Sequence, residues 1–183
     1  MTYCEVLKTM TPKSRAIHQV YHDTQYGFPL TDDNELFGRL ILEINQAGLS
    51  WETILKKQDD FRRAFDDFVI EKIAAYDQVK IDSLLSDATI VRNRLKILAV
   101  IHNAQVILTL QKEYGSFSGW LNAHHPLSKE GWVKLFKKNF KFVGGEIVNE
   151  FLVSTGYLAG AHQKSCPIYQ KVLLANPKWC EKT

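Results

Sequence analysis

The amino-acid sequence predicts an all-α fold, and three observations carry that expectation. Apolar residues recur at helical spacing, capping residues and glycines bracket the recurring segments, and no window sustains a two-residue alternation between paired turn signals. Asp32 precedes the clearest helix, with Glu35 placed to complete a capping box. Leu36, Phe37, Leu40, Ile41, Ile44 and Ala47 then follow on one face until Gly48 stops it. A second helix is expected from Ser50 to about Lys57, and short ones over Asp60–Phe65, Val69–Ala75 and Lys80–Leu85. Val91–Tyr114 reads as the longest, with Ile97, Val100, Ile101, Ala104 and Leu108 as its apolar stripe. Trp120–His125 has the pattern of a short helix end, and Pro126 opens a turn. Leu127–Lys138 and Glu146–Thr155 read as two more helices, the second ending at Gly156. Between them, Phe140–Gly145 has aromatic alternation and two glycines, and both a strand and a hairpin fit it.

A chain of 183 residues suits one domain (1–183) with at most a small lobe, and 45% apolar with 23% charged residues supplies a core and argues against disorder. No run approaches the roughly 18 apolar residues that a membrane span needs. Met1–Arg15 has no apolar stretch of the secretory type, so a cytoplasmic protein without a membrane partner is expected. The net charge of +3 permits a nucleic-acid partner without pointing to one. Lys129, Lys134, Lys137, Lys138 and Lys141 crowd one segment, which from charge alone reads first as a solvated helix face and second as a basic patch. Cys4, Cys166 and Cys180 are odd in number and lie near the two ends, which suits metal ligation or inert thiols better than disulfides.

Three constellations could carry chemistry. Lys141-Phe142-Val143-Gly144-Gly145 lies between a basic helix and an apolar one; it is either an ordinary turn or a place where backbone N–H groups meet a phosphate. His162 and Cys166 share one face if their stretch is helical, and Cys4 with His22 would complete a Cys2His2 set, while Cys180 stays unassigned. Glu43 falls on the apolar face of its helix, where a carboxylate is expensive unless satisfied, and Tyr21, Tyr26 and Trp51 supply aromatic surface nearby. A satisfied core carboxylate and a purine-recognising one both fit that pattern.

Three blocks, taken in order, resemble the 3-methyladenine DNA glycosylase I family. They are Tyr21-His22-Asp23 with Gly27; Leu42-Glu43 with Gln46-Ala47-Gly48-Leu49-Ser50-Trp51; and Phe140-Lys141-Phe142-Val143-Gly144 with His162 and Cys166. Ile90-Val91-Arg92-Asn93-Arg94 with Lys96-Ile97 resembles that family too. The resemblance implies an all-α helix–hairpin–helix glycosylase fold in which one structural zinc ion, held by Cys4, His22, His162 and Cys166, joins the terminal regions 1–30 and 156–183. It implies a monomeric, monofunctional enzyme that excises 3-methyladenine from alkylated double-stranded DNA. Glu43 would be the catalytic carboxylate that accepts hydrogen bonds from the base, Trp51 would stack on the base, and Tyr21 and Tyr26 would line the wall. Leu49 would fill the space left by the flipped nucleotide, Gly48 would let its loop approach, and Lys141, Val143, Gly144 and Gly145 would grip the backbone.

The departures from that family cluster in the pocket. Val6 and His18 stand where aromatic residues are usual, and Tyr26 replaces a tryptophan before Gly27. They imply a less aromatic wall and place His18 as a base-binding residue able to pair with Glu43. They also leave open a second reading: a specificity-shifted or catalytically weak relative that binds damaged DNA without efficient excision.

Overall fold

The structure, a computed structural model, describes residues 2–181. Twelve α-helices follow one another: α1 Tyr3–Thr9, α2 Pro12–Thr24, α3 Asp33–Gln46, α4 Trp51–Lys56, α5 Gln58–Ala64, α6 Ile70–Ala74, α7 Gln78–Ser86, α8 Arg94–Tyr114, α9 Phe117–His124, α10 Lys129–Asn139, α11 Gly145–Ser154 and α12 Pro167–Leu174. Short 3-10 turns cover Asp66–Phe68 and Lys178–Cys180, and no strand occurs among the described residues. None of the described helices is long and apolar enough to cross a membrane. The extreme ends of the expected terminal clasp, residues 1, 182 and 183, lie outside the described residues.

Helix α3 is the axle of the molecule. Every residue from Leu36 to Asn45 is buried, and α4, α8, α9 and α11 pack around it. Asp32 caps it through the amide of Glu35, at 2.9 Å. The reciprocal arm of the expected capping box does not form, because the Glu35 carboxylate takes the Arg62 guanidinium in a bidentate pair at 2.9 and 2.7 Å. Helix α8 buries Ile97, Val100, Ile101 and Ala104 as its spacing requires, while Leu108 is only half-buried and Ile107 and Leu110 go inward instead.

Helices α1, α2 and α12 were not anticipated. The buried face of α2 consists of His18, Tyr21 and His22, so a search for aliphatic periodicity passes over it. Their start signals are nevertheless present: a reciprocal Thr2–Glu5 capping box, a Thr11 cap before Pro12, and Pro167 in the first turn after Cys166.

Phe140–Gly145 is a turn between α10 and α11 rather than a strand. Asn103, fully buried on α8, clamps it: its Nδ2 donates to the Lys141 carbonyl at 3.0 Å and its Oδ1 accepts from the Lys141 amide at 2.8 Å. Val143 points into the core, and Phe142 is the exposed hydrophobe of the turn.

Candidate functional site

A cavity of about 420 Å³ opens beside α3, lined by Tyr3, Val6, Tyr21, Tyr26, Glu43, Gln46, Trp51 and Glu150 among others. Glu43 reaches it from the buried side of α3 and is only 4% exposed. Burial pushes its carboxyl up to about 8; the Arg39 guanidinium works against that rise and the Glu150 carboxylate adds to it. Burial likewise holds the Tyr3, Tyr21 and Tyr26 phenols above their ordinary range, so they stay protonated.

The aromatic rings pack edge to face, except Tyr21 and Tyr26, which are tilted. Tyr21 lies 5.2 Å from Trp51 and 5.7 Å from Tyr26, and Tyr3 lies 5.1 Å from Tyr26, centroid to centroid. The Trp51 indole N–H is shut off from solvent and finds no acceptor among the described residues; Trp132 shares that condition in the core.

Three residues in and behind this wall escaped sequence reasoning. Tyr3 brings in the aromatic surface that Val6 and His18 had appeared to remove. Glu150 lies on α11, far away in the chain, and its Oε2 accepts a hydrogen bond from the Tyr26 hydroxyl at 3.1 Å. Arg39, one turn before Glu43, is buried with its guanidinium 5.0 Å from the Tyr21 ring. A charged residue among apolar neighbours was the available signal for Arg39, as it was for Glu43.

His18 does not pair with Glu43, and it is absent from the residues that line the cavity. It is buried behind Tyr3, sharing a 2.7 Å hydrogen bond with the Tyr3 hydroxyl through Nδ1, while Nε2 faces Glu52 at 3.8 Å. Burial pushes its imidazole below the usual range. Its place on α2, three residues before Tyr21, turns it toward α1 and α4 rather than α3.

The four proposed metal ligands do converge. Cys4, His22, His162 and Cys166 are all buried, and their donor atoms lie within 4.8 Å of one another. The separations are 3.3 Å between His22 Nε2 and Cys4 Sγ, 3.2 Å between His162 Nδ1 and His22 Nε2, and 3.6 to 3.8 Å for the other sulfur–nitrogen pairs. A tetrahedron with ligands about 2.0–2.3 Å from its centre has edges of roughly 3.3–3.8 Å, so the donor set fits a four-coordinate ion. The outer nitrogens fit as well. His22 Nδ1 donates to Asp23 at 2.6 Å and His162 Nε2 to the Tyr26 carbonyl at 2.8 Å, which leaves the inner nitrogens as lone pairs. The route to this convergence differs from expectation, since residues 162–166 are not helical. Cys166 instead sits at the N-cap of α12, and its amide donates to the Gln163 carbonyl at 2.8 Å. Gly27 completes the approach: it has φ +84°, and a Cβ there would lie 2.5 Å from that of Ala161. Cys180 is not part of the cluster.

The α3–α4 loop leaves the cavity toward solvent. Gly48 turns it with φ +83° and open space around it, and Leu49 is 40% exposed. Buried Lys96 holds the end of α3, donating to the Asn45 carbonyl at 2.9 Å and the Ala47 carbonyl at 2.6 Å. The same ammonium lies 5.8 Å from the Phe142 ring, so Leu49's loop and the α10–α11 turn are neighbours. Gly144 also faces open space and begins α11 without a side-chain cap.

The methyladenine glycosylase family model matches residues 11–128. This chain belongs to that family. DNA-3-methyladenine glycosylase 1 of Escherichia coli (strain K12) is 34% identical over 84% of this chain and 91% of its own length. The DNA-3-methyladenine glycosylase of Haemophilus influenzae is 33% identical over 84% and 92%. The structure of 3-methyladenine DNA glycosylase I from Staphylococcus aureus superposes with a TM-score of 0.77 at 36% identity, covering 83% of this chain and 90% of that one. A single-residue variant of a 3-methyladenine DNA glycosylase I, solved in complex with 3-methyladenine, gives a TM-score of 0.77 at 34% identity, covering 88% and 94%. The all-helical architecture of this methyladenine glycosylase family member is therefore that of its solved relatives.

Proposed function

We propose that the chain is a monofunctional DNA glycosylase that hydrolyses the N-glycosidic bond of 3-methyladenine in alkylated double-stranded DNA, working as a single-domain cytoplasmic monomer. One observation carries the reading: a buried carboxylate, Glu43, faces an aromatic-walled cavity at the end of the helix whose following loop exposes Leu49. N3-methylation makes the purine cationic and weakens its glycosidic bond. The protein then has three tasks: to extrude the nucleotide, hold the base, and admit water to the sugar.

Extrusion costs roughly a few kcal/mol of unstacking. Leu49 offsets it by entering the vacated space, while Gly48, Lys141 and the amides that open α11 at Gly144 and Gly145 take the phosphates. Val143 contributes through its backbone, its side chain being buried. Inside the cavity Glu43 accepts from the exocyclic amine, Trp51 and Tyr21 offer ring surface, and Tyr26 closes the wall. Among the described residues no lysine lines the cavity, which supports hydrolysis by water over a Schiff-base route.

The Cys2His2 donor set is that of structural zinc, and we assign it one zinc ion. When bound, zinc would supply a four-coordinate crosslink between the α1–α2 end and the segment before α12, with no open position for chemistry.

Incubation of the purified protein with methylated DNA, followed by separation of the released bases, tests the assignment; absence of 3-methyladenine among them overturns it. Leu49→Ala should lower excision from duplex about tenfold, the effect of roughly 1.5 kcal/mol of lost apolar contact. Binding of free 3-methyladenine should be unchanged, and a matching loss there would place Leu49's role inside the cavity instead.

A further inference from the structure

Glu43 is not the whole of the cavity's charge. Buried Arg39 donates to the Tyr21 hydroxyl at 3.1 Å, the Ser154 carbonyl at 3.4 Å and Gln25 Oε1 at 3.4 Å, all neutral acceptors. Its positive charge has no carboxylate in contact and acts directly on Glu43. One carboxylate beside one such guanidinium leaves little net field for an incoming cation. Glu150 alters that balance. It reaches the cavity from α11, held by the Tyr26 hydroxyl and by the Asn149 amide at 3.2 Å. Among the described residues no ion pair includes it, and no lysine or arginine lines the cavity.

We propose that Glu150 sets the charge selectivity of the cavity: with Glu43's field offset by Arg39, the Glu150 carboxylate is the uncompensated negative charge that favours a cationic purine over a neutral one of the same shape. This rests on the reading of the cavity as a base pocket and names the residue that discriminates within it. The rise of the Glu43 carboxyl to about 8, to which Glu150 contributes, agrees with two acidic groups sharing one low-dielectric space.

The test uses the purified full chain and two small probes. 3,9-Dimethyladeninium carries the lesion's charge, and 9-methyladenine is its neutral counterpart. Titration followed by tryptophan fluorescence, with Trp51 in the cavity wall, reads both affinities. The parent should prefer the cation. Glu150→Gln, which still accepts from the Tyr26 hydroxyl, should weaken cation binding by about tenfold or more while leaving the neutral base within about twofold. Glu150→Ser should behave likewise and serves if the glutamine variant unfolds thermally. Equal weakening of both probes, or an unchanged preference, overturns the proposal. Release of 3-methyladenine by the parent together with unchanged selectivity in Glu150→Gln leaves the enzymatic reading standing and removes this one. Lost selectivity in the variant with no release by the parent does the reverse.

Discussion

Glu43→Gln should make the protein more stable and less active at once. The carboxyl, ordinary in the unfolded chain, is pushed up to about 8 in the fold, chiefly by burial. Between those two values the folded state binds the extra proton, so stability falls as pH rises above the unfolded value and the loss is complete by about pH 8. The size of that loss is on the order of 4–5 kcal/mol. Glutamine fills the same volume without a charge to desolvate. The thermal midpoint of the variant should therefore pull ahead of the parent's by several degrees, with a gap that widens from about pH 5 to pH 8 and then levels. Excision should move the other way. A cation entering the cavity favours the ionised carboxylate, so the proton leaves as the base binds, and glutamine cannot follow. Losing a charge-assisted hydrogen bond worth about 1.5–3 kcal/mol predicts kcat/KM lower by roughly 10- to 150-fold. A pH-independent stability gap, or undiminished kcat/KM, would show that Glu43 is a satisfied core carboxylate.

Metal removal is expected to have the other large effect. Cys4 and Cys166 lie near opposite ends of the chain, and a crosslink closing so long a loop is worth roughly 5 kcal/mol in the chain-entropy picture. Chelation, or Cys166→Ser, should therefore lower the thermal midpoint by on the order of 10–20 °C. The parent should contain about one zinc per chain by elemental analysis, and Cys166→Ser should retain little. The loss should reach the cavity as well. Tyr3 adjoins Cys4 and packs edge-on to His22 at 5.6 Å, and the Tyr26 carbonyl accepts from His162. At temperatures where the metal-free chain is still folded, KM should rise more than kcat falls, because two wall residues lose their anchor. Full zinc content in Cys166→Ser, or an unmoved midpoint after chelation, contradicts the staple.

The helices that were legible from the sequence are those whose buried face is aliphatic. In α3 and α8, neighbours three and four residues apart share a face, so the spacing itself reports burial. Helix α2 was illegible for the converse reason: its inward residues are two histidines and a tyrosine, which look like a polar surface until their partners on α1 and in the 157–166 segment are known. His18 shows how such a residue is misplaced. Its position, where the family it resembles has an aromatic residue, suggested a place in the cavity, but the direction of α2 sends it to Tyr3 and Glu52.

By itself the sequence determined the all-helical class, the family, the Cys2His2 donor types, and the Glu43 helix with its Gly48-Leu49 loop. Each of these depends on residue chemistry or on spacing within one short segment. Only the tertiary structure decided that Tyr3 repairs the aromatic wall, that Arg39 opposes Glu43, and that Glu150 joins it from α11. Helical periodicity describes one element against its own axis, whereas a cavity's charge is the sum of groups brought together from α1, α2, α3 and α11, and that sum exists only once the chain has packed.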